Sequence, residues 1–127
     1  MVNQSLQAAE RLEKEGILTE VVNMKFIKPL DVELLEQIAH KFSMIVTVEE
    51  NSVVGGFGSA VSEKLHGFNT WNGRLLIHGL PDNFITHGSP SELLRTTSLD
   101  AEGIAAVVKA FYRRAAQTNY FPERKAL

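Results

Sequence analysis

The feature that most constrains the fold is the alternation of two kinds of segment along the chain. Helices are predicted where apolar residues recur three or four positions apart, near residues 3–15, 31–42, 57–67, 89–94 and 100–111. Buried strands are predicted where short runs are rich in branched apolar residues, near residues 17–24, 44–48 and 74–80. Because this order requires right-handed crossovers, we predict a three-layer α/β/α fold with a mainly parallel sheet.

Residues that start and stop helices support these boundaries. Gly16 follows the first helical segment and is expected to end it. Asp31, Asp100 and either Ser89 or Ser91 precede later helices. A carboxylate or hydroxyl at such a position accepts a hydrogen bond from an unpaired N–H group of the first turn, so we expect these side chains to be N-caps.

Length and composition indicate one globular domain. The chain has 127 residues, of which 44% are apolar and 22% are charged. These values are typical of a single folded domain and differ from those of disordered or fibrous chains. We expect the domain to span residues 1–115 and a polar tail to span residues 116–127. A chain of this size excludes a large multidomain enzyme.

Charge and cysteine content exclude several classes of function. With 13 basic and 15 acidic residues, the net charge is −2, which argues against a nucleic-acid partner. The absence of cysteine excludes a disulfide scaffold, a thiolate nucleophile and a cysteine-ligated zinc site. The N-terminus does not resemble a secretory signal, and no run approaches the ~20 apolar residues of a membrane span. We therefore expect a cytoplasmic protein without a membrane partner.

Polar and glycine-rich residues follow the second predicted strand: Glu49, Glu50 and Asn51, then Gly55-Gly56-Phe57-Gly58-Ser59. Ligands of parallel sheets bind beyond the carboxyl ends of the strands, and amides at a helix start can bind phosphate. However, the sequence matches neither GxGxxG nor GxxxxGK[ST], and the two glutamates would repel an anion. We favour a tight turn with close packing, and keep a phosphate-binding regulatory module as the alternative.

Glu49 and Glu50 are adjacent, so their side chains point to opposite faces of an extended chain. They are therefore not expected to form the facing acid and base of a catalytic pair. We expect one of them to bind loop amides or a neighbouring subunit.

The remaining polar candidates are scattered. The four histidines, at positions 40, 66, 78 and 87, lack metal-ligand spacing, and no serine lies in a GxSxG motif. We expect His78 to be a hydrogen-bonded core residue. His87, in a loop, is the best candidate for a functional imidazole, although a structural role is favoured. Trp71 is expected either to anchor an interface or to cover the edge of the core.

Five segments carry a resemblance to a known family: residues 21–31 (VVNMKFIKPLD), 46–51 (VTVEEN), 55–61 (GGFGSAV), 79–85 (GLPDNFI, followed by His87-Gly88) and 99–104 (LDAEGI). The first segment is similar to the start of the C-terminal domain of transketolase-like thiamine diphosphate enzymes. Together, in order from about residue 2 to about residue 114, the five resemble the 1-deoxy-D-xylulose-5-phosphate synthase family.

The resemblance implies that the parent enzyme uses thiamine diphosphate and magnesium to join pyruvate and glyceraldehyde 3-phosphate with loss of carbon dioxide. In that family the first two domains hold the cofactor, and the third contributes to dimerisation and shapes the mouth of the site. The resemblance therefore implies no catalytic, cofactor or metal residue in this chain, and as partners it implies the other domains of the enzyme in a homo-oligomer. It implies a structural or interdomain role for Glu49, Glu50, Asn51, Gly55, Gly56, Phe57, Gly58, Asp82 and His87.

The sequence departs from the family pattern at its start. The family domain opens with an apolar strand that ends in a Gly-Thr-Met turn, and Met1 resembles the methionine of that turn. We therefore expect the first strand to be missing and the chain to start at an internal methionine, which would leave the neighbouring strand with an unpaired edge. A transketolase or a 2-oxo-acid dehydrogenase beta subunit is the alternative, but the LPDxFIxHG stretch favours the synthase.

Overall fold

The computed structural model describes residues 1–68, 70–85 and 87–117. In this part of the chain, five helices and two strands follow one another in the order α1 (Val2–Lys14), α2 (Val32–Lys41), β1 (Met44–Ser52), α3 (Phe57–Gly67), β2 (Arg74–Leu80), α4 (Pro90–Thr96) and α5 (Ala101–Gln117). All five predicted helices and two of the three predicted strands are confirmed. The predicted polar tail lies outside the described residues from position 118 onward, and α5 extends past the predicted domain boundary to Gln117.

The two strands are parallel neighbours. Met44 lies opposite Arg74 and Val48 opposite His78, after which an irregularity shifts the register so that Ser52 lies opposite Leu80. Burial alternates along β1, with Ile45, Thr47 and Glu49 facing the interior. The parallel pairing confirms the predicted crossover, since α3 connects the end of β1 to the start of β2.

The helices form two groups around this sheet. Leu35 of α2, Ile45 of β1, and Val61 and Leu65 of α3 form a buried core cluster. The second group consists of α1 and α5, which pack along each other, and α5 also contacts β1. The α/β class with a parallel sheet is therefore confirmed.

The predicted N-caps are present. Asp31 Oδ1 accepts a hydrogen bond from Leu34 N–H at 3.0 Å, and Asp100 Oδ1 accepts one from Gly103 N–H at 2.9 Å. Of the two serines considered for α4, Ser89 is the cap, and it forms a reciprocal capping box with Glu92. Gly16 adopts a left-handed φ of +80° just after α1, as expected for a residue that ends a helix.

The predicted strand at residues 17–24 is wrong. Residues 17–26 follow α1 without forming a strand, although they carry the branched apolar residues that favour one. A strand requires a neighbour that pairs with its backbone N–H and C=O groups. Within the described residues, the sheet contains only β1 and β2, so the segment has no strand beside it and β1 pairs along one edge only.

None of the helices in the described ranges is long and apolar enough to cross a membrane.

Candidate functional site

The junction between β1 and α3 is organised around the carboxylate of Glu49. This side chain lies on the interior face of β1 and the residue is only 6% exposed. Its Oε2 accepts a hydrogen bond from Phe57 N–H at 2.7 Å, and its Oε1 accepts one from Gly58 N–H at 2.8 Å. The first N–H groups of a helix have no partner within the helix, and its N-terminus favours negative charge. Glu49 therefore caps α3 from a neighbouring strand.

The loop between β1 and α3 satisfies further polar groups internally. Gly55, with a φ of +73°, donates its N–H to Ser59 Oγ at 3.0 Å. Ser59 Oγ in turn donates to the Val53 carbonyl at 3.0 Å, while Val54 N–H donates to Ser52 Oγ at 3.2 Å. Only a residue that tolerates positive φ fits the position of Gly55, so the tight turn depends on a glycine here.

Close packing explains two other glycines of this region. A Cβ atom on Gly56 would overlap the Glu49 carboxylate and the Ser52 carbonyl oxygen. A Cβ atom on Gly58 would overlap Ile77 of β2 and lie 2.6 Å from Thr47 Oγ1. The glycines thus let the first turn of α3 approach both strands, in agreement with the favoured interpretation of this motif.

This geometry argues against the alternative of a phosphate site in the glycine-rich loop. The amides of Phe57 and Gly58, which would face such an anion, already donate to a carboxylate of the protein itself. A bound phosphate would have to displace Glu49, and the two anions would repel each other at this distance. The alternative is therefore not supported.

The two adjacent glutamates point in opposite directions. Glu50 is exposed, whereas Glu49 is buried, so they form no facing acid–base pair. Glu50 instead lies at the rim of an open cavity of about 310 Å³ at the carboxyl ends of β1 and β2. The cavity is mostly apolar and is lined by Glu50, Leu80, Ile85, His87, Gly88, Pro90, Leu93, Leu94 and Thr97. The sequence indicates Glu50 and His87 as separate candidates, and no spacing pattern connects them to one cavity.

Two of the remaining candidates, His78 and Trp71, form hydrogen bonds that stabilise the fold. His78 Nε2 donates to the Ser98 carbonyl at 2.7 Å, which holds the segment before α5 against β2. Trp71 packs against the core cluster and donates its Nε1–H to the Phe42 carbonyl at 3.1 Å, so it covers the edge of the core. Asp82 is exposed in the loop that follows β2.

One buried polar group was not anticipated. Thr47 is 4% exposed, and its hydroxyl has no hydrogen-bond partner in the part of the chain that the structure describes. Alternation along β1 placed Thr47 on the same face as Glu49, which is the signal that could have identified it.

The described residues do not form a recognisable metal-binding site. They contain no group of three histidine, aspartate or glutamate side chains that could hold a metal ion. The residues at the α3 N-terminus also do not fit a cofactor diphosphate, because its amides are occupied by Glu49.

Comparison with known proteins gives a consistent result. Residues 1–104 match the family model described as "Transketolase, C-terminal domain". The 1-deoxy-D-xylulose-5-phosphate synthase of Chlorobium luteolum is 52% identical over 113 residues, covering 89% of this chain and 18% of the synthase. The synthase of Chlorobium phaeovibrioides is 46% identical over 112 residues, covering 88% of this chain and 18% of that protein.

A solved structure shows the same fold. The protein titled "Split gene transketolase, inactive beta4 tetramer" superposes with a TM-score of 0.77 at 38% identity, covering 86% of this chain and 35% of that one. The present chain therefore spans about one fifth of the length of the synthases that it matches.

Proposed function

This chain belongs to the transketolase C-terminal domain family, and we propose that it works as the C-terminal domain of a thiamine diphosphate-dependent 1-deoxy-D-xylulose-5-phosphate synthase. The observation that carries the proposal is the 52% identity over 113 residues to the Chlorobium luteolum synthase, of which the matched region is 18%. The complete enzyme would convert pyruvate and glyceraldehyde 3-phosphate into 1-deoxyxylulose 5-phosphate and carbon dioxide.

The proposed part of this chain in that reaction is structural. The cofactor supplies the electron sink, and the family resemblance assigns its binding to the other domains. The Glu49 carboxylate already accepts the hydrogen bonds of the Phe57 and Gly58 amides, which a phosphate bound at the glycine-rich loop would need. This supports a role without cofactor contact. We infer that the chain forms a wall and an interface beside the cofactor domains, in an assembly with more than one copy.

Calorimetry on the isolated chain tests this division of labour. Thiamine diphosphate with magnesium, inorganic phosphate, nucleotides and sugar phosphates are each titrated into the chain. The proposal predicts no saturable heat with any of them. Saturable binding of a nucleotide or sugar phosphate would instead support a free-standing regulatory module, and saturable binding of thiamine diphosphate would contradict the assignment of the cofactor to other domains.

We further propose that in the complete enzyme another strand pairs with the free edge of β1, parallel to it. Within the described residues the sheet has only two strands, and two-stranded sheets are marginally stable. Residues 17–26 connect the α1 and α5 group to the α2 and α3 group. An exposed ion pair between Glu20 and Lys41 places this segment near the end of α2. This apolar segment pairs with no strand in the described residues. The added strand would therefore have β1 on one side and this segment on the other.

Extending the chain tests the proposed strand. The ten or so residues that precede the matched region of the Chlorobium luteolum synthase are added before Met1. The extension should raise the melting temperature by several degrees, because it satisfies unpaired backbone groups and covers apolar side chains. A control extension carries two prolines, which cannot donate to a ladder. Equal melting temperatures for the two extensions would contradict the proposal.

A further inference from the structure

The exposed apolar side chains of this domain gather at one end of the sheet. That end is where β1 and β2 finish, at Ser52 and Leu80, and we call it the carboxyl end. The opposite end, where the strands start, is the amino end. The placement of the helices relative to these two ends follows from a few hydrogen bonds and ion pairs.

Helices α1 and α5 both start at the carboxyl end. The hydrogen bond from His78, near the end of β2, to the Ser98 carbonyl fixes the start of α5 there. Ala101 N–H donates to Gln4 Oε1 at 2.9 Å, so α1 starts beside α5. The ion pair between Lys109 and Glu15 shows that the two helices then run in the same direction. The end of α1 therefore lies toward the amino end.

Helix α2 also starts at the carboxyl end. It finishes at Lys41, three residues before β1 starts, and Trp71 just before β2 contacts Phe42 at the same end. Its ten residues span about 15 Å, so its first residue, Val32, lies well toward the carboxyl end. The turn at residues 27–30 leads directly into it.

Most of the exposed large apolar residues map to this carboxyl end. Of the nine such residues among those described, Val54 follows β1 and the pair Phe84 and Ile85 follows β2. Four more lie at or before the starts of α1 and α2: Val2, Phe26, Ile27 and Val32. Phe84 is fully exposed and Phe26 is 69% exposed. We define the carboxyl-end surface by the residues Val2, Phe26, Ile27, Val32, Val54, Phe84 and Ile85.

The mostly apolar cavity of about 310 Å³ lies within this surface. Leu80, Ile85 and Leu93 contribute to its lining, and Phe84 precedes Ile85 in the chain. A concentration of exposed apolar side chains at one end of a domain is unusual for a protein that works alone and points to an interaction site. A concave apolar pocket in such a surface is the kind of place where a partner inserts an anchoring side chain.

We propose that the carboxyl-end surface is the face on which this domain docks against the cofactor-binding domains of the same enzyme. This inference rests on the proposed function. The matched region is only 18% of the length of the related synthases, so more than four fifths of each synthase lies outside it and is available as a partner. The carboxyl-end surface offers the largest set of exposed apolar side chains in the described residues for that contact.

Side-chain footprinting with hydroxyl radicals tests the proposal in a full-length enzyme. A chimera is made from the Chlorobium luteolum synthase by replacing its matched C-terminal region with this chain. Labelling of Phe26 and Phe84 is compared between the chimera and the isolated chain that carries the strand-forming extension described above, so that both proteins contain the added strand. Leu18 serves as the internal control, because it is 81% exposed and follows α1 at the amino end. We expect labelling of both phenylalanines to fall several-fold in the chimera, and that of Leu18 to stay unchanged.

The possible outcomes distinguish this inference from the proposed function on which it rests. An enzymatically active chimera in which Phe26 and Phe84 remain fully labelled would overturn the docking surface and leave the proposed function intact. A folded chimera that binds thiamine diphosphate but is inactive and shows no protection would overturn both. If protection appears in the isolated chain and depends on its concentration, the surface joins copies of this domain, and the proposed occupant is wrong.

Discussion

Replacing Glu49 by alanine removes the acceptor of two helix N–H groups at once. Hydrogen bonds to a charged group contribute about 1.5 to 3 kcal/mol each, and an unsatisfied buried donor adds a desolvation cost. Gly58 is buried, so water does not readily replace the carboxylate there. We expect Glu49→Ala to lower the free energy of unfolding by about 3 to 5 kcal/mol, a large part of the 5 to 15 kcal/mol typical of a domain.

The matched control is Glu50→Ala, since Glu50 has the same charge, is adjacent in sequence and is exposed. Urea unfolding followed by circular dichroism measures both variants, and Glu50→Ala should change the free energy by no more than about 0.5 kcal/mol. Glu49→Gln keeps one acceptor oxygen and should lose about half of what Glu49→Ala loses. If Glu49→Ala and Glu50→Ala unfold at the same urea concentration, the capping role assigned to Glu49 is refuted.

Three further predictions concern the packing at Gly56 and the capping box of α4. Gly56→Ala should destabilise it because the new methyl group overlaps Glu49 and Ser52, whereas Gly67→Ala, with open space around it, should be neutral or stabilising in thermal melts. Hydrogen bonds from the Ser89 side chain and backbone lower the pKa of Glu92 below its ordinary value, so their stabilising effect is present above pH 4.5 and is lost as the pH falls through the lowered pKa. Carboxyl titration by NMR should show the Glu92 pKa rising in Ser89→Ala, and an unchanged value would contradict the capping box.

Local interactions account for what could be predicted from the sequence. The caps at Asp31, Ser89 and Asp100 act within three residues of their own position, so residue type and spacing identify them. The strands β1 and β2 were identifiable because their branched apolar residues pack near helices adjacent in the chain, with Ile45 of β1 buried and Leu75 of β2 partly buried.

The features that the sequence does not predict depend on interactions between segments that are distant in the chain. Residues 17–24 have the composition of a strand, yet a strand forms only beside a partner, and the local sequence does not report whether one is present. The choice between Glu49 and Glu50 as the amide-binding residue depends on which face of β1 meets α3. The cavity near His87 joins residues from two strands, a loop and α4, which no spacing pattern connects.

Turnover by the chimera tests the central claim most directly. The chimera and the unaltered Chlorobium luteolum synthase are supplied with pyruvate, glyceraldehyde 3-phosphate, thiamine diphosphate and magnesium, and formation of 1-deoxyxylulose 5-phosphate is measured. We predict a rate close to that of the unaltered enzyme for the chimera, and no product from the isolated chain. A folded chimera that binds thiamine diphosphate but forms no product, or an isolated chain that forms product, would contradict the account.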